Sequence, residues 1–297
     1  MADDKNDRET HDEAQRELSR RDFVALSVAA GLAAATGTVS AATLPVTETT
    51  VDVKTPDGVC DCAFIHPTTG SHPAVIIWPD AFGLRPAIRE MGKRLAGEGY
   101  AVLTVNPYYR VGHGTLLDTK TFSFQNDRAK LGPLMGSITA DGAAEKDAAA
   151  FVAWLDTQKQ VNTSKKSGTQ GYCMGGPLVM RTSAAVPNRI GAGGSFHGGG
   201  LVTQMPNSPH LLVPKIKAKM YFGVASNDDM QQPTAKDTLK AAFEAAKNSA
   251  KIEVYSSLHG WCMSDMPVAA GAPPIYNQAD AEKAWGELLA LYKAALA

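Results

Sequence analysis

From residue 73 onwards, short apolar segments alternate with segments of helical periodicity. Segments 73–79 (PAVIIWP) and 100–107 (YAVLTVNP) are almost wholly apolar, as is typical of strands buried on both faces of a sheet. Between them, apolar residues recur at helical spacing over 84–95 before two glycines end the pattern. The alternation predicts an α/β fold with a mostly parallel central sheet and helices on both faces.

The same criteria predict the other elements. Two short strands flank a Pro56-Asp57-Gly58 turn. In the second strand, Cys60 and Cys62 point to the same side, as packing residues. Residues 108–138, rich in Gly, Thr and Ser, are predicted to be irregular and to form the rim or cap of a pocket. Later helices are predicted over 139–158, 233–248 and 277–296, and later strands over 189–196, 215–225 and 251–257.

Composition narrows the functional classes. The 297 residues are 44% hydrophobic with a net charge of -1, which suits a globular α/β protein and gives no basic surface for nucleic acid. No Gly-rich phosphate loop follows the first buried strand, which disfavours nucleotide binding. The four cysteines lack zinc-ribbon spacing. We therefore expect neither a metal nor an organic cofactor.

The N-terminus resembles an export signal. Residues 19–24 (SRRDFV) contain a twin arginine, an uncharged run covers 23–47, and small residues at 39–41 offer a cleavage site. The run is too weakly apolar for a stable membrane span. We predict a signal peptide over 1–41 and a single mature domain over 42–297, exported folded to the periplasm by the twin-arginine machinery. An uncleaved, membrane-tethered form is the alternative.

The segment 171–176 (GYCMGG) has the G-x-C-x-G pattern of a nucleophile elbow, with cysteine where serine is usual. Such a turn exposes the nucleophile and aims the next backbone N–H at a developing oxyanion. It also sets the sulfur of Cys173 near a helix N-terminus, which favours thiolate. The alternative is a small buried cysteine between glycines.

Candidate partners of this thiol follow two later strands. Asp228 and Asp229 come after the strand predicted over 215–225, and His259 follows the last strand. Nucleophile, acid and histidine therefore occur in the chain order of α/β-hydrolases. Taken singly, the acids could be a solvated loop and the histidine a turn residue.

These features together resemble the dienelactone hydrolase family, the carboxymethylenebutenolidases. The resemblance rests on GYCMGG, the downstream aspartates, HGW at 259–261, the segment 76–110 and SFHGGGL at 195–201. It implies an α/β-hydrolase fold over essentially the whole mature chain, with a Cys-His-Asp triad.

The resemblance also suggests roles. His259 would take the proton of the thiol and return one to the leaving group. Asp228, preferred over Asp229 for its spacing to the histidine, would fix the imidazole tautomer. The backbone N–H groups of Ala81 and Met174 would form the oxyanion hole.

Three further residues are candidates for thiol activation or substrate binding. Asp80 stands where the family usually has the glutamate that holds and activates the thiol; capping the helix near Leu84 is its alternative role. Arg110 would clamp a substrate carboxylate, although the family's second arginine, after the histidine, is missing here. His197 is predicted to line the pocket rather than to act as the base.

The predicted function is hydrolysis of a lactone or small carboxylic ester through a thioacyl intermediate, with a small molecule as the partner. One alternative is a carboxylesterase or thioesterase with the same triad. Another is a ligand-binding protein with an inert thiol. Because Cys262 lies three residues after His259, a disulfide with Cys173 in an oxidising periplasm is a further hypothesis.

Overall fold

Eight strands form one sheet in the computed structural model, which describes residues 43–296. The strands are β1 (Val46–Thr55), β2 (Gly58–Pro67), β3 (Ala74–Trp78), β4 (Ala101–Val105), β5 (Ser167–Tyr172), β6 (Ile190–Phe196), β7 (Lys219–Val224) and β8 (Ala250–Val254). Their order across the sheet is β1-β2-β4-β3-β5-β6-β7-β8. The β1–β2 and β2–β4 pairs are antiparallel and every other pair is parallel. The predicted mostly parallel α/β sheet is confirmed.

Helices cover both faces of this sheet. They are α1 (Pro86–Gly97), α2 (Leu131–Thr139), α3 (Ala143–Leu155), α4 (Gly175–Ala185), α5 (Ser226–Gln231), α6 (Ala235–Ala245) and α7 (Gln278–Leu296), with 3-10 turns at Arg128–Lys130 and Pro209–Lys215. Alternate residues of β3 enter two separate apolar clusters, as side chains on opposite faces of a strand must. Helices α3, α4 and α6 pack into one cluster, and α1 and α7 into the other.

The hairpin of β1 and β2 is longer than the sequence suggested. Each strand has ten residues, and the turn sets Thr55 opposite Gly58. Gly58 has a φ of 145°, which a residue with a side chain rarely adopts. The sulfurs of Cys60 and Cys62 lie 3.5 Å apart and both residues are fully buried, so the same-side prediction is confirmed.

The prediction of an irregular segment over 108–138 is wrong at its end, where α2 forms. Leu131, Leu134, Met135 and Ile138 fall on one helical face, and Leu134 and Ile138 are buried. Pro133 is tolerated because it lies in the first turn, where backbone N–H groups have no helical partner. Tertiary burial of this face outweighs the low helix propensity of the glycines.

The carboxyl ends of the parallel strands meet at one edge of the sheet, where ligands bind in such folds. Strand β5 is fully buried although its sequence is SGTQGY. Its two glycines permit close packing, and the side chain of Gln170 is hydrogen-bonded to Tyr172 and Tyr292. The predicted signal peptide lies outside the described residues. Within residues 43–296, no helix combines the length and the apolar character needed to cross a membrane.

Candidate active site

The turn from β5 to α4 has the geometry of a nucleophile elbow. Cys173 lies between them with a φ of 53°, a strained conformation for a residue with a side chain. A Cβ added at Gly175 would lie 2.4 Å from the carbonyl oxygen of Trp78, and one at Gly171 would lie 2.1 Å from the carbonyl oxygen of Gly175. The glycines are therefore required by close backbone approach, and Cys173 is left partly exposed on a cavity wall.

Of the two candidate acids, Asp228 contacts the histidine. Its Oδ2 lies 2.7 Å from Nδ1 of His259. Asp229 instead accepts hydrogen bonds from Lys236 at 2.7 and 2.8 Å. The side chain of Asn227 accepts the backbone N–H of His259 at 2.7 Å, which fixes the loop that carries the imidazole. Asn227 had no signal in the sequence beyond its adjacency to Asp228.

The environment of His259 favours the imidazolium. Burial alone would lower the pKa of this histidine, but the hydrogen bond to Asp228 and the nearby side chain of Cys173 outweigh burial and raise the pKa to about 10. His259 and Cys173 line the same cavity. The histidine can therefore hold a proton beside the sulfur of Cys173.

Removing the thiol should lower the pKa of His259. In Cys173→Ala one of the groups that raises this pKa is lost while burial persists, and in Cys173→Ala/Asp228→Asn both are lost. NMR titration of the ring should show successive decreases from about 10 towards or below the ordinary 6.5. Because the folded pKa is raised, the proton stabilises the fold fully below pH 6.5 and this stabilisation is lost as the pH rises to about 10. An unchanged pKa in both variants would contradict this electrostatic arrangement.

Two backbone N–H groups beside the thiol are available to an oxyanion. Within residues 43–296, the amides of Ala81 and Met174 donate no hydrogen bond to a protein acceptor. The hydroxyl of Tyr108 lies 2.8 Å from the carbonyl oxygen of Ala81 and 3.3 Å from the sulfur of Met174. Tyr108 thus contacts both residues of the predicted oxyanion hole. No sequence motif predicts this contact, because it joins distant segments of the chain.

Asp80 is fully buried, and its carboxylate pairs with Arg85 rather than with the thiol. Arg85 donates to both oxygens of Asp80 at 2.8 and 2.9 Å and to both oxygens of Asp265 at 2.7 and 2.9 Å. Asp80 also accepts the N–H of Phe82 at 2.9 Å. The predicted thiol contact and the helix-capping alternative are both replaced by this network, because a buried carboxylate is best satisfied by a bidentate guanidinium.

Breaking the Asp80–Arg85–Asp265 network should destabilise the protein strongly. Arg85→Leu leaves the buried carboxylate of Asp80 without its cation, and we expect a loss of about 3–5 kcal/mol in the free energy of unfolding, measured by urea titration. Arg94→Leu is the matched control, since Arg94 pairs with Glu282 at an exposed site and should cost about 1 kcal/mol or less. Equal losses in the two variants would show that burial of this network contributes nothing.

The cavity above the elbow has a volume of roughly 530 Å³. Apart from Cys173 and His259, its wall is apolar except for Arg128, which lies in the segment predicted to form a pocket rim. Within the described residues, the guanidinium of Arg128 forms no hydrogen bond or ion pair with the protein. Sequence reasoning missed this residue because no motif surrounds it. The lining residues are Ala81, Phe82, Phe124, Arg128, Leu131, Gly132, Met135, Cys173, His259 and Met266.

Two predicted binding residues do not reach this cavity wall. Arg110 is held by Asp147, at 2.7 and 2.8 Å, and by Asp57, so its guanidinium is saturated by protein carboxylates. His197 is fully buried behind the elbow. Strand β6 ends just before it, and a φ of 39° turns its ring inward against His259. The predicted substrate clamp at Arg110 and the pocket-lining position of His197 are corrected accordingly.

The hypothesis of a disulfide between Cys173 and Cys262 is also corrected. Both are free thiols. Cys173 packs against the apolar cluster on one face of the sheet, and Cys262 against the cluster on the other face. The sheet therefore separates the two sulfurs, and proximity to His259 in the sequence does not bring Cys262 to the cavity.

The sheet, the elbow and the Asp–His pair after later strands define an α/β-hydrolase fold. The profile of the dienelactone hydrolase family matches residues 61–296, and the chain belongs to that family.

Individual relatives agree with this assignment. A protein of Methylorubrum extorquens, provisionally named a carboxymethylenebutenolidase, is 29% identical over 253 residues, which span 82% of this chain and 83% of that protein. The carboxymethylenebutenolidase of Pseudomonas sp. strain P51 is 27% identical over 201 residues, spanning 68% and 79% of the two chains. A crystal structure from Klebsiella pneumoniae, provisionally named a dienelactone hydrolase, has a TM-score of 0.69 at 20% identity, covering 84% of this chain and 99% of that one. The last similarity concerns the fold.

Proposed function

We propose that this protein hydrolyses a carboxylic ester or lactone through a thioacyl intermediate on Cys173. The observation that carries the proposal is the shared cavity wall: the thiol and His259 face the same space, and Asp228 bonds the far side of the imidazole. The names of the relatives support a lactone as the first substrate to test.

The reaction proceeds in two halves. Cys173 passes its proton to His259, and the thiolate attacks the substrate carbonyl. The backbone N–H groups of Ala81 and Met174 donate hydrogen bonds to the developing oxyanion until the C–O bond breaks, and the leaving alkoxide takes the proton from His259. A water molecule then gives its proton to His259 and attacks the thioester, and the thiol is restored as the acid leaves. Asp228 stabilises the imidazolium in both halves.

A substrate panel distinguishes this proposal from its rivals. We expect steady-state turnover to be highest for a dienelactone or other small lactone, compared with an aryl ester and an acyl thioester of similar size. Highest turnover of the thioester would indicate a thioesterase. A ligand-binding protein would bind without turnover, and its Cys173 would not be labelled by an electrophilic ester in a manner that depends on His259.

The position of Arg128 supports a preference of the cavity for acidic substrates. An unpaired guanidinium on an otherwise apolar wall suits a substrate whose apolar body ends in an acidic group. Arg128→Gln should raise KM for a carboxylate-bearing ester by about 10-fold to 100-fold, the value of a charge-assisted hydrogen bond. For the matched neutral methyl ester, kcat/KM should change less than about threefold. Equal effects on both substrates would contradict anion recognition by this residue.

We also propose export through the twin-arginine route, which the residues around Arg20 and Arg21 support. With both arginines replaced by lysine, the full chain should stay in the cytoplasmic fraction, whereas the native chain should be found in the periplasmic fraction. Periplasmic recovery of both would contradict the proposal.

A further inference from the structure

A second histidine contacts the elbow from behind. Nδ1 of His197 accepts a hydrogen bond from the backbone N–H of Cys173 at 3.1 Å, and the same N–H lies 3.1 Å from the carbonyl oxygen of Phe196. The nucleophile's own amide is therefore shared between one backbone acceptor and one side-chain acceptor. We infer that His197 is a positioning residue, which holds Cys173 in its strained conformation and so aims the thiol at the substrate carbonyl. This inference rests on the proposed function.

The backbone at both ends of this hydrogen bond is strained. Cys173 has a φ of 53° and His197 a φ of 39°, two of the three non-glycine residues with positive φ in the described chain. Such conformations cost of order 1–3 kcal/mol each and persist only where surrounding contacts impose them. The backbone N–H of His197 donates to the carbonyl oxygen of Gly223 at 2.7 Å, which ties the strained histidine to β7. Hydrogen bonds therefore connect the two strained residues to each other and to the sheet.

The ring is held in one orientation and one tautomer. Tyr172, His259 and Trp261 all contact it, with ring centroids 5.0–6.0 Å away. Because Nδ1 accepts the amide N–H of Cys173, the ring proton must lie on Nε2. Nε2 is buried and has no partner among the described residues. A buried donor without a partner is costly, so a side chain selected for stability alone would not be an imidazole.

The same contacts exclude His197 as the base. Burial and the neighbouring His259 lower the pKa of His197 well below its ordinary value, and its acceptor nitrogen is occupied by the backbone of Cys173. His197 is not itself one of the residues that line the cavity. His197 therefore affects the reaction by fixing the position of the thiol. Small displacements of a reacting atom lower the reaction rate strongly.

Three substitutions separate the positioning role from a structural one. His197→Asn keeps an acceptor near the Nδ1 position and tolerates positive φ, and we expect kcat within about fivefold of native. His197→Phe keeps the ring and most of its volume but has no acceptor, and we expect kcat to fall by about 10-fold to 100-fold with KM within about threefold. His197→Gln places its carbonyl near Nε2 instead and should behave like phenylalanine. If the phenylalanine variant does not fold, the comparison of asparagine with glutamine decides alone.

The test is steady-state hydrolysis of an aryl ester by the three folded variants across pH, with the alkylation rate of Cys173 by iodoacetamide measured in parallel. We expect His197→Asn to keep both the rate of ester hydrolysis and the rate of Cys173 alkylation near their native values. The pH–rate profile should keep its shape in every active variant. Two results would overturn the inference. The first is that His197→Asn hydrolyses the ester no faster than His197→Phe or His197→Gln; the second is that an active variant loses the limb of the pH–rate profile that reports the base His259. Failure of the proposed function is distinguishable, because the native protein would then hydrolyse nothing, or Cys173→Ala would stay active, while the alkylation rates would still report on the elbow.

Discussion

Replacing Cys173 by alanine should lower kcat/KM for the best ester or lactone substrate by about 10⁴-fold or more, since loss of a covalent nucleophile removes the entire acyl-transfer route. The melting temperature should change little because the side chain is small and partly exposed. Steady-state hydrolysis by the two purified proteins measures the effect. The residual rate would come from binding and from the amides of Ala81 and Met174.

Cys262→Ala is the matched control for this experiment. It removes the other partly exposed thiol, which packs on the opposite face of the sheet, and kcat/KM should stay within about twofold of native because surface and distant substitutions rarely alter the site. Activity of Cys173→Ala within tenfold of native would place the nucleophile elsewhere. Equal losses in the two variants would point to a global change in fold.

The second large effect is expected at Asp228. Asp228→Asn removes the charge that stabilises the imidazolium and allows the amide to favour the wrong tautomer of His259, and kcat should fall by about 10³-fold to 10⁴-fold. Asp229→Asn is a matched control one residue away, because this carboxylate pairs with Lys236 and does not contact the histidine. It should keep kcat within about threefold of native.

Comparable losses in both aspartate variants would contradict the assignment of Asp228 as the residue that orients the imidazole. The reverse order, with Asp229→Asn the more severe, would mean that the loop rearranges when substrate binds. Circular dichroism of both variants establishes that the comparison concerns folded proteins. Residual activity in Asp228→Asn should depend on pH, because the pKa of His259 falls when this acceptor is lost.

Much of the fold could be predicted from the sequence because its signals are local. Strands β3 and β4 are continuous apolar runs, and both are buried at every position. The elbow could be recognised since glycine is the residue that close backbone approach permits, as the contacts of Gly171 and Gly175 demonstrate. Chain order then placed an acid and a histidine after later parallel strands, whose carboxyl ends share one edge of the sheet.

The errors concern ion-pair partners that no sequence pattern links to each other. The sequence suggests a substrate contact for Arg110 because its neighbourhood gives no hint of Asp147, which pairs with its guanidinium. The family resemblance suggests a thiol contact for Asp80, whereas Arg85, five residues away, donates to both of its carboxylate oxygens. Arg128 has no surrounding motif, and it reaches the cavity wall from a 3-10 turn that only the tertiary fold brings there.

Trapping the acyl-enzyme tests the central claim most directly. An aryl ester with a slowly hydrolysed acyl group should be mixed with the protein, quenched in acid within the first turnovers, and analysed by mass spectrometry of the intact chain and of its peptides. The account predicts one added acyl group per chain, located on Cys173 and absent from Cys173→Ala, with a burst of released phenol of the same stoichiometry. Sustained hydrolysis with no acyl group on Cys173, or with the group on another side chain, would contradict it.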